Sequence, residues 1–121
     1  MSRILVSDAA RILGISQVAL QNGLIHNAFL FGSAWMNENS TCWNYYVSRE
    51  RLLEYLQSPQ LIQCRNIQTE KAARMLGISV LGLRNALKQN KMPFGTTWTN
   101  SGSTHTFYYI NSHLFEKYVV S

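Results

Sequence analysis

Charged side chains are scarce in this sequence, and acidic ones are the scarcest. Of 121 residues, 14% are charged, only 6 are Asp or Glu, 3 are His and 2 are Cys. So few carboxylates, imidazoles and thiols leave little from which a metal site or an acid–base pair could be built. No Ser–His–Asp set, paired carboxylates or phosphate-binding loop stands out either. We therefore expect a protein that is not an enzyme and that needs no metal or cofactor.

Long apolar runs are also missing. None approaches the roughly 20 residues that cross a bilayer, and Arg3, Asp8 and Arg11 interrupt the first sixteen residues, unlike the apolar core of a signal peptide. Cys42 and Cys64 lack CxxC spacing. We expect two reduced, packed thiols, with a bridge between them left open by the sequence. A cytoplasmic protein without membrane association is the expectation.

What the chain does contain is apolar and basic. Apolar residues make up 46%, and 11 Lys and Arg outnumber the acidic residues to give a net charge of +5 and a pI near 9.5. The apolar content suits a folded chain rather than a disordered one. A small basic protein is biased toward polyanions, which means nucleic acid or an anionic membrane surface.

An internal repeat organises the whole sequence. Residues 9–16 (AARILGIS) return without gaps as residues 72–79 (AARMLGIS), an offset of 63. Over the 50 positions from residue 7 to residue 56, the copy 63 residues later is identical at 20. The repeat predicts two similar modules at 1–57 and 67–121, joined by a linker at 58–66.

Each module begins with a pattern typical of two short helices. Ser7 or Asp8 is a plausible N-cap for the first, and Gly14 is expected to end it in the left-handed conformation. Ser16 is expected to cap a second helix that continues to about His26. The second module repeats these signals with Gly77, Ser79, Leu83 and Leu87. Two short helices around a glycine turn predict a helix-turn-helix.

A β-hairpin and a final helix are predicted next. Polar turn-formers precede β-favouring segments at 43–47 and 106–110. Ser48 and Asn111 are expected to cap the final helices. The inward positions of these helices are predicted to be Leu52, Leu53, Leu56, Leu114, Phe115 and Tyr118. The strand aromatics expected in the core, rather than as stacking surfaces, are Trp35, Trp98, Tyr45 and Tyr108.

These motifs resemble the small winged helix-turn-helix domains of the excisionase and MerR-like superfamily. In the second module the resemblance rests on residues 72–79, on Met92-Pro93-Phe94, on Tyr109-Ile110 and on residues 114–118; in the first it rests on residues 46–56. It implies an α+β fold of two tandem winged helix-turn-helix modules. Each would have two short helices, a β-hairpin wing and a C-terminal helix.

The resemblance also implies that the second helix of each module enters the major groove of DNA. The candidate DNA-binding residues of the second module are Arg74, Val80, Leu81, Arg84, Asn85, Lys88, Lys91, Thr97 and Asn100. Those of the first are Gln17, Gln21 and Asn22. Arg pairs with guanine, Asn and Gln pair with adenine, and apolar side chains contact thymine methyls. Wing hydroxyls and amides hydrogen-bond phosphates without adding charge.

The two modules differ in net charge. Residues 1–63 are neutral, whereas residues 64–121 carry the whole +5. We expect the second module to supply most non-specific affinity, with the first either binding DNA weakly or mediating protein contact or self-association. The function expected is a sequence-specific double-stranded DNA-binding protein of the nucleoid. It would be a transcription regulator or an excisionase-like recombination accessory of a mobile element. The alternative is a winged-helix protein-interaction module with lost or weak DNA binding. No small-molecule effector is expected, because no residues remain for a sensing domain.

Overall fold

The protein is an α+β chain that divides into two compact units. A computed structural model describes residues 2–120, so Met1 and Ser121 lie outside the described residues. Unit 1 is Met1–Gln63 and unit 2 is Cys64–Ser121. The described residues form six helices and two antiparallel sheets. None of these helices is long and apolar enough to cross a membrane.

Unit 1 folds around a three-stranded sheet. Its elements are β1 (Arg3–Ile4), α1 (Val6–Leu13), α2 (Gln17–Ile25), β2 (Gly32–Met36), β3 (Trp43–Ser48) and α3 (Arg49–Leu56). The strand order is β1-β3-β2, with β2 and β3 forming a hairpin. Strand β1, which the sequence analysis did not predict, pairs Arg3 with Ser48 at the end of β3.

Unit 2 repeats this order of elements. It contains α4 (Thr69–Leu76), α5 (Val80–Lys88), β4 (Gly95–Thr99), β5 (Thr106–Ile110) and α6 (Ser112–Val120). The hairpin of β4 and β5 is its sheet. A single bridge, Asn66 with Asn111, stands 63 residues after the pairing of Arg3 with Ser48. Nearby, the Arg65 backbone N–H donates to Ser112 Oγ (2.8 Å). Residues 64–66, which lay inside the predicted linker, therefore pair with unit 2.

The turn between the first two helices of each unit is as predicted. Gly14 and Gly77 end α1 and α4 with φ of 81° and 73°, a left-handed conformation that glycine adopts without strain. Ser16 and Ser79 cap the following helices through their side-chain oxygens, at 3.0 Å and 2.9 Å from the backbone nitrogens three residues on. The repeated motif thus fixes the same corner twice.

The predicted start of the first helix is wrong. α1 begins at Val6 after Leu5, which makes no side-chain cap bond, so Ser7 and Asp8 lie inside the first turn rather than before it. Asp8 still stabilises the helix there, because a carboxylate near the N-terminus opposes the positive end of the helix dipole. It also pairs with Arg11 at 3.4 Å.

Equivalent apolar positions fill both cores. The buried pairs related by the repeat are Ala9 and Ala72, Ala10 and Ala73, Leu20 and Leu83, Leu24 and Leu87, Phe31 and Phe94, Val47 and Ile110, and Leu52 and Phe115. The Tyr55 ring lies edge-on to Phe31, with centroids 5.2 Å apart, and the Tyr118 ring lies edge-on to Phe94, the equivalent residue of unit 2, at 5.1 Å. Among the predicted inward positions, Leu53 is only half-buried and Tyr118 is 43% exposed.

The strand aromatics do not all enter the core. Trp98 is buried and stacks on Phe107, with ring centroids 4.6 Å apart. Trp35 occupies the same repeat position but is 45% exposed, so its predicted core role is wrong. The reason lies across the hairpin, where Trp98 faces Phe107 but Trp35 faces Asn44. An asparagine offers no ring surface against which the indole could be buried.

The two cysteines also differ in their burial. Neither Cys42 nor Cys64 forms a disulfide within residues 2–120, but only Cys64 is buried, whereas Cys42 is exposed beside the unit 1 hairpin turn. Burial raises the pKa of the Cys64 thiol. The prediction of two packed thiols is therefore wrong for Cys42.

Candidate nucleic-acid interface

Helix α5 presents an exposed stripe of predicted DNA-binding residues. Leu81, Asn85 and Lys88 are separated by four and three positions, which places them on one helix face. All three are exposed, and Leu81 is 69% exposed. Val80, at the first position of the helix, is half-buried. The cap at Ser79 fixes where this stripe begins.

Arg84 lies beside the stripe, but its guanidinium is already engaged within unit 2. Its Nη2 lies 2.9 Å from Glu70 Oε1 and donates to Thr69 Oγ1 at 3.3 Å. Its Cζ lies 5.3 Å from the centroid of the Tyr108 ring. Arg84 therefore links three elements: α4, α5 and β5. That arrangement suits a residue that positions the helix more than one that reaches for a base.

Two further candidate DNA-binding residues lie near Tyr108. Lys88 Nζ lies 5.9 Å from the ring centroid, where a cation is attracted by the ring face. Thr97 pairs with Tyr108 across the hairpin, so both side chains lie on the same sheet face. The structure thus brings Arg84, Lys88 and Thr97 to one place, between the helix and the hairpin.

The remaining candidates of unit 2 lie at the ends of elements. Arg74 is in the last turn of α4, and Lys91 follows the end of α5. Both are exposed, and within residues 2–120 neither side chain makes an ion pair or a hydrogen bond. Asn100 follows β4, where its side-chain Oδ1 is buried. Arg74 and Lys91 are thus free to meet an anion.

Helix α2 of unit 1 has the same geometry with different chemistry. Its stripe consists of Val18, Asn22 and Ile25, the repeat positions of Leu81, Asn85 and Lys88, and Val18 is 64% exposed. Gln21 replaces Arg84. Gln17 is exposed, whereas Gln21 and Asn22 are half-buried. No charge lies on this helix, so it offers amides and apolar groups only.

A groove of about 430 Å³ runs between this helix and the hairpin of unit 1. Gln17 and Gln21 form one side, and Trp43 and Tyr45 are among the hairpin residues on the other. Arg3 also lines the groove and donates from Nη2 to the Tyr45 carbonyl oxygen at 3.5 Å. Partial burial raises the pKa of the Tyr45 phenol.

Sequence reasoning missed the partners of Arg84. Glu70 stands 14 residues before it and Tyr108 stands 24 after it, so no local spacing indicates either contact. It also missed the exposed pair Met36 and Trp43 at the end of the unit 1 hairpin. A comparison of the two repeat copies could have indicated this exposed pair, because unit 2 has threonines at both equivalent positions.

No cluster of three or more His, Cys, Asp and Glu side chains suitable for a metal ion occurs among residues 2–120. Comparison of the chain with protein-family models, with curated proteins and with solved structures finds no match in any of the three. The case for a nucleic-acid interface is therefore made by the chain's own residues: an exposed stripe on α5, two unpaired cations and a neighbouring hairpin.

Proposed function

We propose that this chain is a sequence-specific double-stranded DNA-binding protein with two tandem winged helix-turn-helix units. It would act at the nucleoid, as a transcription regulator or as an excisionase-like recombination accessory of a mobile element. The observation that carries the proposal is the α5 stripe of Leu81, Asn85 and Lys88, exposed beside the hairpin in the unit that holds all of the net charge.

Affinity for DNA would come mainly from unit 2. Its seven basic residues face only two carboxylates, Glu70 and Glu116. Duplex DNA is bound largely by neutralising phosphates and releasing their counterions. Lys88, Lys91 and Arg74 are exposed and suit that role. Unit 1 is neutral and would add little to this term.

Sequence preference would come from the stripe itself. The Asn85 amide matches the donor and acceptor pattern of adenine in the major groove, and Leu81 offers an apolar surface for a thymine methyl. For Arg84 the proposal departs from the base-contacting role expected from the sequence. Because Glu70 and Tyr108 hold its guanidinium, it would orient α5 instead of pairing with guanine.

The test is the salt dependence of binding to duplex DNA. We would measure affinity by fluorescence anisotropy over a range of salt concentrations for wild type and for a Lys88→Gln/Lys91→Gln variant. The slope of log K against log salt is negative, and each lost phosphate contact reduces its magnitude by about 0.9. The matched control is Arg49→Gln/Arg51→Gln, which removes the same charge from exposed positions in α3. An equal change in both variants, or no duplex binding by wild type, would refute the proposal.

Specificity needs its own measurement. Selection from a random duplex library should recover a preferred site for wild type. Asn85→Ala should relax that preference at one base pair, by about 1–3 kcal/mol, while leaving the salt slope unchanged. Uniform weakening at all positions would instead place Asn85 on the DNA backbone.

A further inference from the structure

The two hairpins differ most at their ends. In unit 2 the Oγ1 atoms of Thr99 and Thr106 lie 2.9 Å apart across the strands. The same repeat positions in unit 1 hold Met36 and Trp43, which also pair across the strands. They are 45% and 38% exposed. A polar pair in one unit is thus an exposed apolar pair in the other.

Trp43 shares a hairpin face with a second ring. Side chains alternate along a strand, so Trp43 and Tyr45 lie on one face of β3, and both line the groove beside α2. In unit 2 the ring at the position of Tyr45 is Tyr108, over which Arg84 lies. In unit 1 the shorter Gln21 stands at the position of Arg84, and within residues 2–120 no cation lies over the Tyr45 ring. The groove of unit 1 therefore leaves its rings available.

The lining of this groove favours one class of occupant. It combines aromatic rings with the amides of Gln17 and Gln21 and the single cation Arg3, and it includes no carboxylate. Rings stack on flat groups, amides match the polar edges of bases, and a guanidinium pairs with phosphate. A basic protein segment would find no anion in the groove. An acidic segment would use Arg3 and the amide N–H groups but would leave the rings without a stacking partner.

We propose that this groove binds an unpaired base of a DNA strand, with Trp43 as the stacking surface. The inference deepens the proposed function and rests on it for the class of partner. Unit 2 would bind duplex DNA through charge, while unit 1 would bind an unpaired nucleotide mainly through stacking. The two activities would then differ in their dependence on salt, because stacking a base neutralises few phosphates.

Tryptophan fluorescence of the full chain provides the test. Trp35 and Trp43 are exposed whereas Trp98 is buried, so a stacked base should quench the exposed indoles. We would titrate the protein with a ten-nucleotide oligothymidylate and expect saturable quenching. Both Trp43 variants lack the reporting indole, so their affinity would be measured by the anisotropy of a fluorescently labelled oligothymidylate. Trp43→Ala should weaken binding about 5- to 150-fold, whereas Trp43→Phe should retain most of it because a ring remains. The matched control, Thr106→Ala, changes the equivalent position of unit 2 and should bind as wild type.

Other results would overturn the inference. These are an absence of quenching, equal binding by Trp43→Ala, or equal quenching by a ten-residue polyglutamate peptide. A concentration-dependent dimer that Trp43→Ala abolishes would assign the groove to a second copy of the chain. The Lys88→Gln/Lys91→Gln variant separates the two proposals, since it should lose duplex affinity but keep oligothymidylate binding. If wild type binds the oligonucleotide through Trp43 but binds no duplex, the proposed function fails and the groove assignment stands.

Discussion

The guanidinium of Arg84 lies over the ring of Tyr108, 5.3 Å from its centroid, while the same group pairs with Glu70 at 2.9 Å. One side chain thereby joins the hairpin to both helices of the turn. Unit 1 has Gln21 and Ser7 at the positions of Arg84 and Glu70, so this link belongs to unit 2 alone. In the basic unit, an ion pair and a cation–π contact of Arg84 therefore connect the exposed helix to α4 and β5.

Replacing Arg84 by the glutamine of unit 1 tests this role. Arg84→Gln should lower the free energy of unfolding by about 1 kcal/mol, because a half-exposed ion pair is worth about 0.2–1 kcal/mol and an exposed cation–π contact about 0.5–1 kcal/mol. A double-mutant cycle with Glu70→Gln, in which urea denaturation measures each variant's free energy of unfolding, should give a coupling energy of about 0.5 kcal/mol between the two side chains. Unchanged stability together with the loss of preference at a single guanine would instead make Arg84 a base reader.

Two glycines at the start of the hairpins are expected to tolerate no side chain. A Cβ at Gly32 would stand 2.5 Å from the Tyr46 carbonyl oxygen, and one at Gly95 would collide with the Tyr109 carbonyl oxygen. Backbone atoms cannot turn away, so Gly32→Ala and Gly95→Ala should each lower stability by about 1–3 kcal/mol. Thermal unfolding would measure the loss.

A glycine with open surroundings provides the control for that pair. Gly102 has a φ of +78°, and a Cβ added there would meet no other atom within 4 Å. Gly102→Ala should therefore cost only the left-handed backbone strain, about 1 kcal/mol. Gly95 has no left-handed φ, so only the collision with the Tyr109 carbonyl oxygen should destabilise Gly95→Ala, and an unchanged stability in that variant would contradict the prediction.

The sequence correctly predicted the features that depend on local signals present in both copies of the repeat. The glycine corners, the serine caps at Ser16 and Ser79 and both hairpins followed from the repeat, because each needs a particular residue at a particular spacing. Duplication supplies an internal check, since a chance match would not recur in register 63 residues later. The class of the fold could be predicted for the same reason.

The features that could not be predicted from the sequence depend on contacts between residues far apart in the chain. β1 has two residues, too few to show alternation, and it exists only because β3 offers an edge. The exposure of Trp35 is decided by Asn44 across the hairpin. The partner of Arg84 is likewise on another helix. For the candidate site, the sequence therefore predicted which residues lie on the helix. It did not predict that Arg84 is bound by Glu70 and Tyr108 within unit 2.

The stability of unit 1 should fall in acid. Glu50 accepts hydrogen bonds from its own backbone N–H and from that of Ser2 (2.8 Å), which lower the pKa of its carboxyl below the ordinary 4.5. A carboxyl whose folded pKa is depressed stabilises the fold above its unfolded pKa, and this contribution disappears as pH falls through the folded value. Urea denaturation between pH 7 and pH 3 should show the decline, and Glu50→Gln should reduce it. The control Glu54→Gln, in the same helix, should decline as wild type does.

Helix α5 should gain stability from a change that unit 1 already contains. Gly82 stands at the repeat position of Ala19, and glycine inside a helix is up to about 1 kcal/mol less favourable than alanine. A Cβ at Gly82 would approach Ser79 Oγ to 2.9 Å. In unit 1, however, Ala19 carries that Cβ while its N–H still donates to Ser16 Oγ at 3.0 Å. The hydroxyl can therefore shift and keep the cap.

Gly82→Ala should therefore raise the free energy of unfolding by about 0.5–1 kcal/mol, measured by urea denaturation. The stripe of Leu81, Asn85 and Lys88 is untouched, so the salt slope of duplex binding should not change. Gly82→Ala/Ser79→Ala distinguishes the causes, because removing the cap should cost about 1 kcal/mol whether or not the alanine is present. If Gly82→Ala lowers the stability of wild type but does not lower that of Ser79→Ala, the new methyl displaces the serine hydroxyl from its cap.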